Sequence, residues 1–214
     1  MFSLRGFYAI VDATPALLDD TGALERRARQ LLEAAPCCLQ LRAKEIGARA
    51  FADAARRLLP LCRGAGVPFC VNDRLDVALS VGADVVHLGQ DDLPLADALR
   101  VRVEAGRPDL VVGFSTHNPA QAISAAGAGA DYLGFGPVFV TNSKLNPDPV
   151  VGLNQLAEVC RIVSVPVVAI GGVTPDHAGL LALAGASAAA LISAVNSAPD
   201  PTSAGRQVGA AWTR

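Results

Sequence analysis

Eight short apolar runs, each followed by a stretch of helical character, repeat along this 214-residue chain. The runs are 7–12, 37–43, 68–73, 85–90, 110–115, 132–139, 166–171 and 188–194. Helices are expected near 22–35, 46–64, 74–82, 93–105, 118–127, 153–163, 175–184 and 202–213. The runs are apolar throughout and often β-branched, as parallel strands are when both faces are covered. Eight even strand–helix units fit a closed (β/α)8 TIM barrel better than the alternative, a doubly wound open sheet. No linker or break in composition divides the chain, so residues 1–214 are read as one domain, and barrels run as single domains at about 200–250 residues.

Local signals agree with this division. Asn118-Pro119 and Thr174-Pro175 place a capping residue before a proline at the first helical position. Gly66, Gly82, Gly106, Gly127 and Gly185 mark helix ends. In the segment 46–64, Phe51, Ala54, Ala55, Leu58, Leu59, Leu61 and Cys62 form a stripe at helical spacing, read as core contact. Pro60 is expected to kink that helix or end it early.

Composition removes several classes of function. A formal net charge of -2 provides no basic field for nucleic acid. No apolar run reaches the roughly 18 residues of a membrane span, and Met1 to Gly6 lacks the anatomy of a signal peptide. The five cysteines match no zinc or redox spacing; they are read as small apolar residues of a reducing cytosol, which places the protein in the cytoplasm.

The ends of the runs carry the chemistry. Alternate strand residues share a face, so Gln40, Arg42 and Lys44 present one amide and two cations together. Asp73 ends the third run and Asp92 follows the fourth. Neighbouring strands lie about 4.8 Å apart, so both carboxylates can reach one ion, and two carboxylates with phosphate oxygens are a usual setting for Mg²⁺. The competing reading makes Asp92, or equally Asp91, only a helix cap. Lys144 adds a third cation, with Asn72 and Ser115 beside it, and this set suits a diphosphate. Gly171-Gly172 after the seventh run and Ile192-Ser193 after the eighth fit the barrel's usual phosphate position, with glycine allowing close backbone approach to the ligand.

The remaining candidates are read more plainly. His87 is expected to be a hydrogen-bonded core residue, and His177 an exposed one on the seventh helix. His117 is either an acid/base or part of a turn. Tyr132, at the far end of its strand, is read as structural. The irregular stretch 140–152 follows the sixth run and is expected to close over a ligand, a plain surface loop being the alternative.

These segments together resemble the thiamine-phosphate synthase family, from Tyr8 to Val195. The resemblance rests on Gln40-Leu41-Arg42-Ala43-Lys44, Asn72-Asp73-Arg74, His87-Leu88-Gly89-Gln90-Asp91-Asp92 and Gly113-Phe114-Ser115-Thr116-His117. It extends through Asp131 to Phe139, Thr141-Asn142-Ser143-Lys144, Ile170-Gly171-Gly172 and Ile192-Ser193. It implies a transferase joining 4-amino-2-methyl-5-hydroxymethylpyrimidine diphosphate to 4-methyl-5-hydroxyethylthiazole phosphate, or its carboxylate, with release of pyrophosphate. Carried over by motif, Gln40, Leu41, Arg42, Ala43, Lys44, Asn72, Ser115 and Lys144 bind the pyrimidine diphosphate. Thr141, Asn142, Ser143, Gly172, Ile192 and Ser193 belong to the substrate site, most of them on the thiazole phosphate. Asp73 and Asp92 hold the Mg²⁺ cofactor, and Arg42, Lys44, Ser115 and Lys144 serve the reaction itself. The implied mechanism is dissociative: diphosphate leaves first and the thiazole nitrogen attacks the resulting pyrimidine-methyl cation.

The chain departs from the family pattern in places. Val140 stands where proline is common, Ser143 keeps the hydroxyl of a usual threonine, Asp91 replaces glutamate, and Leu145 to Pro149 is unusual. The alternatives are a thiazole tautomerase of the same barrel type, which uses a histidine where His117 stands, and a non-catalytic phosphate-ligand sensor. Partners are expected to be two small molecules, with no nucleic acid and no membrane; self-association into a homo-oligomer stays open.

Overall fold

The structure is a computed structural model that describes residues 3–141 and 148–213. Its strands are β1 (Gly6–Asp12), β2 (Cys38–Arg42), β3 (Phe69–Asn72), β4 (Val85–Leu88), β5 (Val111–Thr116), β6 (Tyr132–Phe135), β7 (Val167–Ala169) and β8 (Ala188–Leu191). They pair in parallel and in chain order, and β1 closes onto β8. The helices are α1 (Pro15–Asp19), α2 (Ala23–Leu32), α3 (Ala48–Ala65), α4 (Leu75–Val81), α5 (Leu95–Glu104), α6 (Pro119–Gly127), α7 (Gly152–Ile162), α8 (Ala178–Leu183), α9 (Ser193–Asn196) and α10 (Pro201–Ala210). The expected (β/α)8 barrel is therefore the observed fold, and the open sheet is not.

Strand alternation divides the core into two layers. Outward residues such as Val11, Leu39, Leu41, Val71 and Leu133 pack beneath the helix stripes, including Phe51, Ala55, Leu58 and Cys62 of α3. Inward residues, among them Tyr8, Ile10, Cys38, Cys70, Val85, Tyr132 and Val168, fill the barrel. Among the described residues no helix is long and apolar enough to cross a membrane.

Several local expectations are corrected. Pro60 does not end α3 early; the helix runs on to Ala65. The proline lies on the exposed face, where water can satisfy the carbonyl it leaves unbonded. β6 stops at Phe135 rather than 139, because Pro137 has no N–H to continue the ladder. β8 stops at Leu191, and Ser193 opens the short α9. α1 is not among the expected helices, although Thr14-Pro15 carries the same start signal as the others; Thr14 accepts a hydrogen bond from the Leu17 N–H. Cys37 lies just before β2 and packs on the same inner cluster as Cys38. All five cysteines are free thiols, and burial pushes Cys37 and Cys62 up to about 12 and Cys160 to about 11.

Candidate active site

The C-terminal ends of the strands bring most of the singled-out residues together. Arg42 closes β2, and its Nη1 lies 2.6 Å from Oδ1 of Asp12, its register partner at the end of β1. Lys44 stands two residues beyond Arg42 and is exposed. Asn72 closes β3 and is buried. Its register partner on β4 is His87, whose carbonyl accepts the Asp73 N–H.

Asp73 and Asp92 meet. The Asp73 carboxyl is raised to about 7 by burial first, then by its hydrogen bond to Asp92 and by that group's charge; Lys44 and Arg42 pull it the other way. Two cations and two carboxyls thus occupy one neighbourhood, as the strand-end pattern anticipated. Asp73 holds a left-handed backbone, φ 63°, uncommon for a residue with a side chain. Asp92 Oδ2 accepts the Gly89 N–H at 2.6 Å. It does not cap a helix: the residue before α5 is Pro94, and no side chain caps that terminus. A pair of half-buried carboxyls with positive charge alongside fits an oxygen-coordinated divalent cation. Among the described residues no group of three or more His, Cys, Asp or Glu gathers as a metal cage, so a cation here would have two carboxyls and oxygens from substrate or water.

Gln40 lies a layer deeper than Arg42, at 3 % exposure, with Nε2 donating to the Tyr8 hydroxyl at 3.0 Å. Leu41 points outward into the helix layer, and Ala43 packs against that layer too, so only their backbones can face a ligand. Ser115, half-buried on β5, lies 2.9 Å from His87 Nε2, and its carbonyl accepts from Gln90 Nε2 at 2.5 Å. His87 is hydrogen-bonded as expected, and burial pushes it down to about 4 despite the nearby Asp92 charge.

On the opposite side of the mouth, Gly172 serves the protein before any ligand. A Cβ there would lie 2.3 Å from the Val140 carbonyl oxygen, and φ is 66°. The turn after β7 is laced to the segment after β6 by the Val138 and Phe139 N–H groups, which donate to the carbonyls of Ile170 and Gly171. Ile192 joins the inner core, Ser193 is exposed, and Thr141 is half-buried. Asn196 Nδ2 ties the turn after β8 to the Ile10 carbonyl at 2.7 Å. Asn142, Ser143 and Lys144 lie outside the described residues, as does much of the 140–152 stretch.

The other two histidines both have protein partners, and the reading of His177 changes. His117 is held by protein, with Nδ1 2.6 Å from the Gly136 carbonyl and Nε2 3.6 Å from Asp148. His177 is not exposed; its ring stacks on Phe139 at 3.9 Å, and Nδ1 accepts the Thr174 N–H. Asp12, Tyr8 and Tyr132, the last of them expected to be structural, contact the singled-out residues Arg42, Gln40 and His87. The available signals were parity, since all three fall on inward-facing positions, and Gly113, where a Cβ would lie 2.1 Å from the Tyr132 ring.

Comparison with known proteins bears on the family and the fold. Residues 7–195 match the family model for thiamine monophosphate synthase. Thiamine-phosphate synthase of Laribacter hongkongensis is 46% identical over 170 residues, covering 79% of this chain and 78% of that protein. Thiamine-phosphate synthase of Anaeromyxobacter dehalogenans is 42% identical over 209 residues, 98% of this chain and 88% of its own length. The solved thiamine phosphate pyrophosphorylase of Pyrococcus furiosus superposes with a TM-score of 0.84 at 34% identity, covering 98% of this chain and 96% of that one.

Proposed function

The chain belongs to the thiamine monophosphate synthase family, and we propose that it makes thiamine phosphate with a divalent cation held between Asp73 and Asp92. The substrates are 4-amino-2-methyl-5-hydroxymethylpyrimidine diphosphate and a 4-methyl-5-hydroxyethylthiazole phosphate. The observation that carries the site assignment is the meeting of the Asp73 and Asp92 carboxyls beside Arg42 and Lys44. Mg²⁺ in that position would neutralise charge on the departing diphosphate.

The chain's own residues would do the rest. Arg42, fixed by Asp12, offers guanidinium N–H groups to phosphate oxygens, and Lys44 adds a mobile charge at the rim. Asn72 and Ser115 supply neutral polar groups between those cations and the barrel floor. Stabilising the leaving diphosphate is the main requirement of a dissociative transfer, and it needs no strong base. His87, pushed down to about 4, stays neutral at the pH of the reaction and is not a proton carrier there. The second anion, the thiazole phosphate, is assigned to the turns around Gly172, Ile192 and Ser193, with Thr141 at the edge. Holding both rings in one mouth provides the alignment that carbon–nitrogen bond formation needs.

The tautomerase alternative is not favoured. Asp73, Asp92, Arg42 and Lys44, which the synthase reading needs, are all present, and the family match is to the synthase. Incubation with both substrates and Mg²⁺, followed by mass detection, tests the reading. Thiamine phosphate is the expected product; conversion of a thiazole carboxylate alone, with no coupled product, would overturn it.

A further inference from the structure

Five side chains from five strands form one hydrogen-bonded line across the barrel interior. Gln40 Nε2 lies 3.0 Å from the Tyr8 hydroxyl, and that oxygen 3.0 Å from the Tyr132 hydroxyl. Tyr132 lies 3.0 Å from His87 Nδ1, and His87 Nε2 lies 2.9 Å from Ser115 Oγ. The line joins a residue beneath the Arg42 wall to one on the facing wall.

Its direction is limited by what each group can give. An amide nitrogen only donates, so the Tyr8 oxygen accepts from Gln40 Nε2; of the two directions open to the paired hydroxyls, one has Tyr8 give its hydrogen to Tyr132 rather than to the neighbouring Cys38 or Cys70 sulfur. Tyr132 in turn donates to His87 Nδ1. A neutral imidazole whose Nδ1 accepts carries its proton on Nε2, which then donates to Ser115 Oγ. Ser115, already accepting, keeps its hydrogen for a group at the mouth. A diphosphate oxygen is an acceptor, so this polarity suits it. The reverse polarity, with the proton on Nδ1, would draw the Ser115 hydrogen inward to Nε2. It would turn only lone pairs toward the anion.

The geometry points to Tyr132 and His87 as positioning residues that set Ser115 as a hydrogen-bond donor toward the site's anion, with Gln40 anchoring the far end of the line. Neither need touch substrate. Gly113 is part of the same device, since any Cβ there would occupy the place of the Tyr132 ring. The role assigned to Ser115 rests on the proposed function; the polarity of the line does not.

The test is long-range proton–nitrogen correlation NMR on the intact ¹⁵N-labelled protein at neutral pH, with His87→Gln identifying the signal. A protonated Nε2 and a bare Nδ1 are expected. A proton on Nδ1, or on both nitrogens, would overturn the proposal. Tyr132→Phe should let the His87 tautomers mix and lower kcat/KM for the pyrimidine diphosphate about fivefold to tenfold, the loss of roughly one hydrogen bond. His87→Gln, which can return an N–H near the Nε2 position, should retain more activity than His87→Asn; equal losses would contradict the donor role. A wild-type protein that makes no thiamine phosphate would remove the functional reading and leave the tautomer result standing. An active enzyme with the Nδ1–H form would remove the positioning proposal alone.

Discussion

Asp12 at the end of β1 holds Arg42 at the end of β2, oxygen to nitrogen at 2.6 Å, in directly paired strand positions. The pair is partly buried, with side chains 32% and 14% exposed respectively, so solvent screens it only in part. Asp12 leaves Arg42's remaining N–H groups for an anion while restricting its rotamers. Asp12→Asn should raise KM for the pyrimidine diphosphate roughly fivefold, about 1 kcal/mol, and leave that for the thiazole phosphate unchanged. Steady-state kinetics with each substrate varied in turn checks this.

Removing the guanidinium itself should separate the two anion sites. Arg42→Ala is expected to weaken pyrimidine diphosphate binding by about 2 kcal/mol or more, as loss of charge-assisted bonds does, with a far smaller effect on thiazole phosphate. Calorimetric titration of each ligand reads the two affinities directly. Equal losses would merge the sites into one.

The Asp73–Asp92 pair predicts a pH dependence whose sign is fixed. Asp73 titrates near 7 in the folded protein against an ordinary 3.8. Between those values the unfolded chain has lost the proton and the folded one keeps it, so metal-free stability falls as pH rises through that window. Asp73→Asn removes the titration and suits the left-handed backbone at φ 63°. With a chelator present, the variant's Tm should gain on wild type from pH 4 to pH 7. His87, at about 4, acts in the opposite sense, its contribution being lost as pH falls below 6.5; it is present in both proteins and cancels in the comparison. Mg²⁺ added above pH 7 should raise the wild-type Tm and not the variant's.

Gly113 gives a packing prediction. Its missing side chain makes room for the Tyr132 ring, and a Cβ would approach to 2.1 Å. Gly113→Ala should cost about 1–3 kcal/mol or more by forcing a buried aromatic ring to move. It should also lower activity by breaking the line to Ser115. Urea denaturation and kcat/KM measured on the same variant check both halves.

The barrel was legible because eight apolar runs and their helices report burial directly, and burial follows local spacing. The Asp73–Asp92 pair was legible for a similar reason: the two residues follow β3 and β4, and the ends of paired neighbouring strands lie side by side whatever the distant contacts are. What stayed hidden depends on contacts far apart in sequence. Tyr132 appeared structural from its place at the start of β6, yet it reaches Tyr8, 124 positions away, and His87. Gly172 reads as a place for ligand approach, and the second demand on it, the Val140 carbonyl oxygen 2.3 Å from where a Cβ would stand, was not legible. Asp12 is one acidic residue among many until the register of β1 against β2 puts it opposite Arg42.

The central claim is that Asp73 and Asp92 hold the cation on which diphosphate departure depends. Pyrophosphate release, measured against Mg²⁺ concentration with both substrates present, tests it in wild type, Asp73→Asn and Asp92→Asn. The account predicts release that saturates with Mg²⁺, equals thiamine phosphate formed, and falls about a hundredfold or more in either variant. Release at the wild-type rate in either variant, or in wild type with all divalent ions chelated, would contradict it.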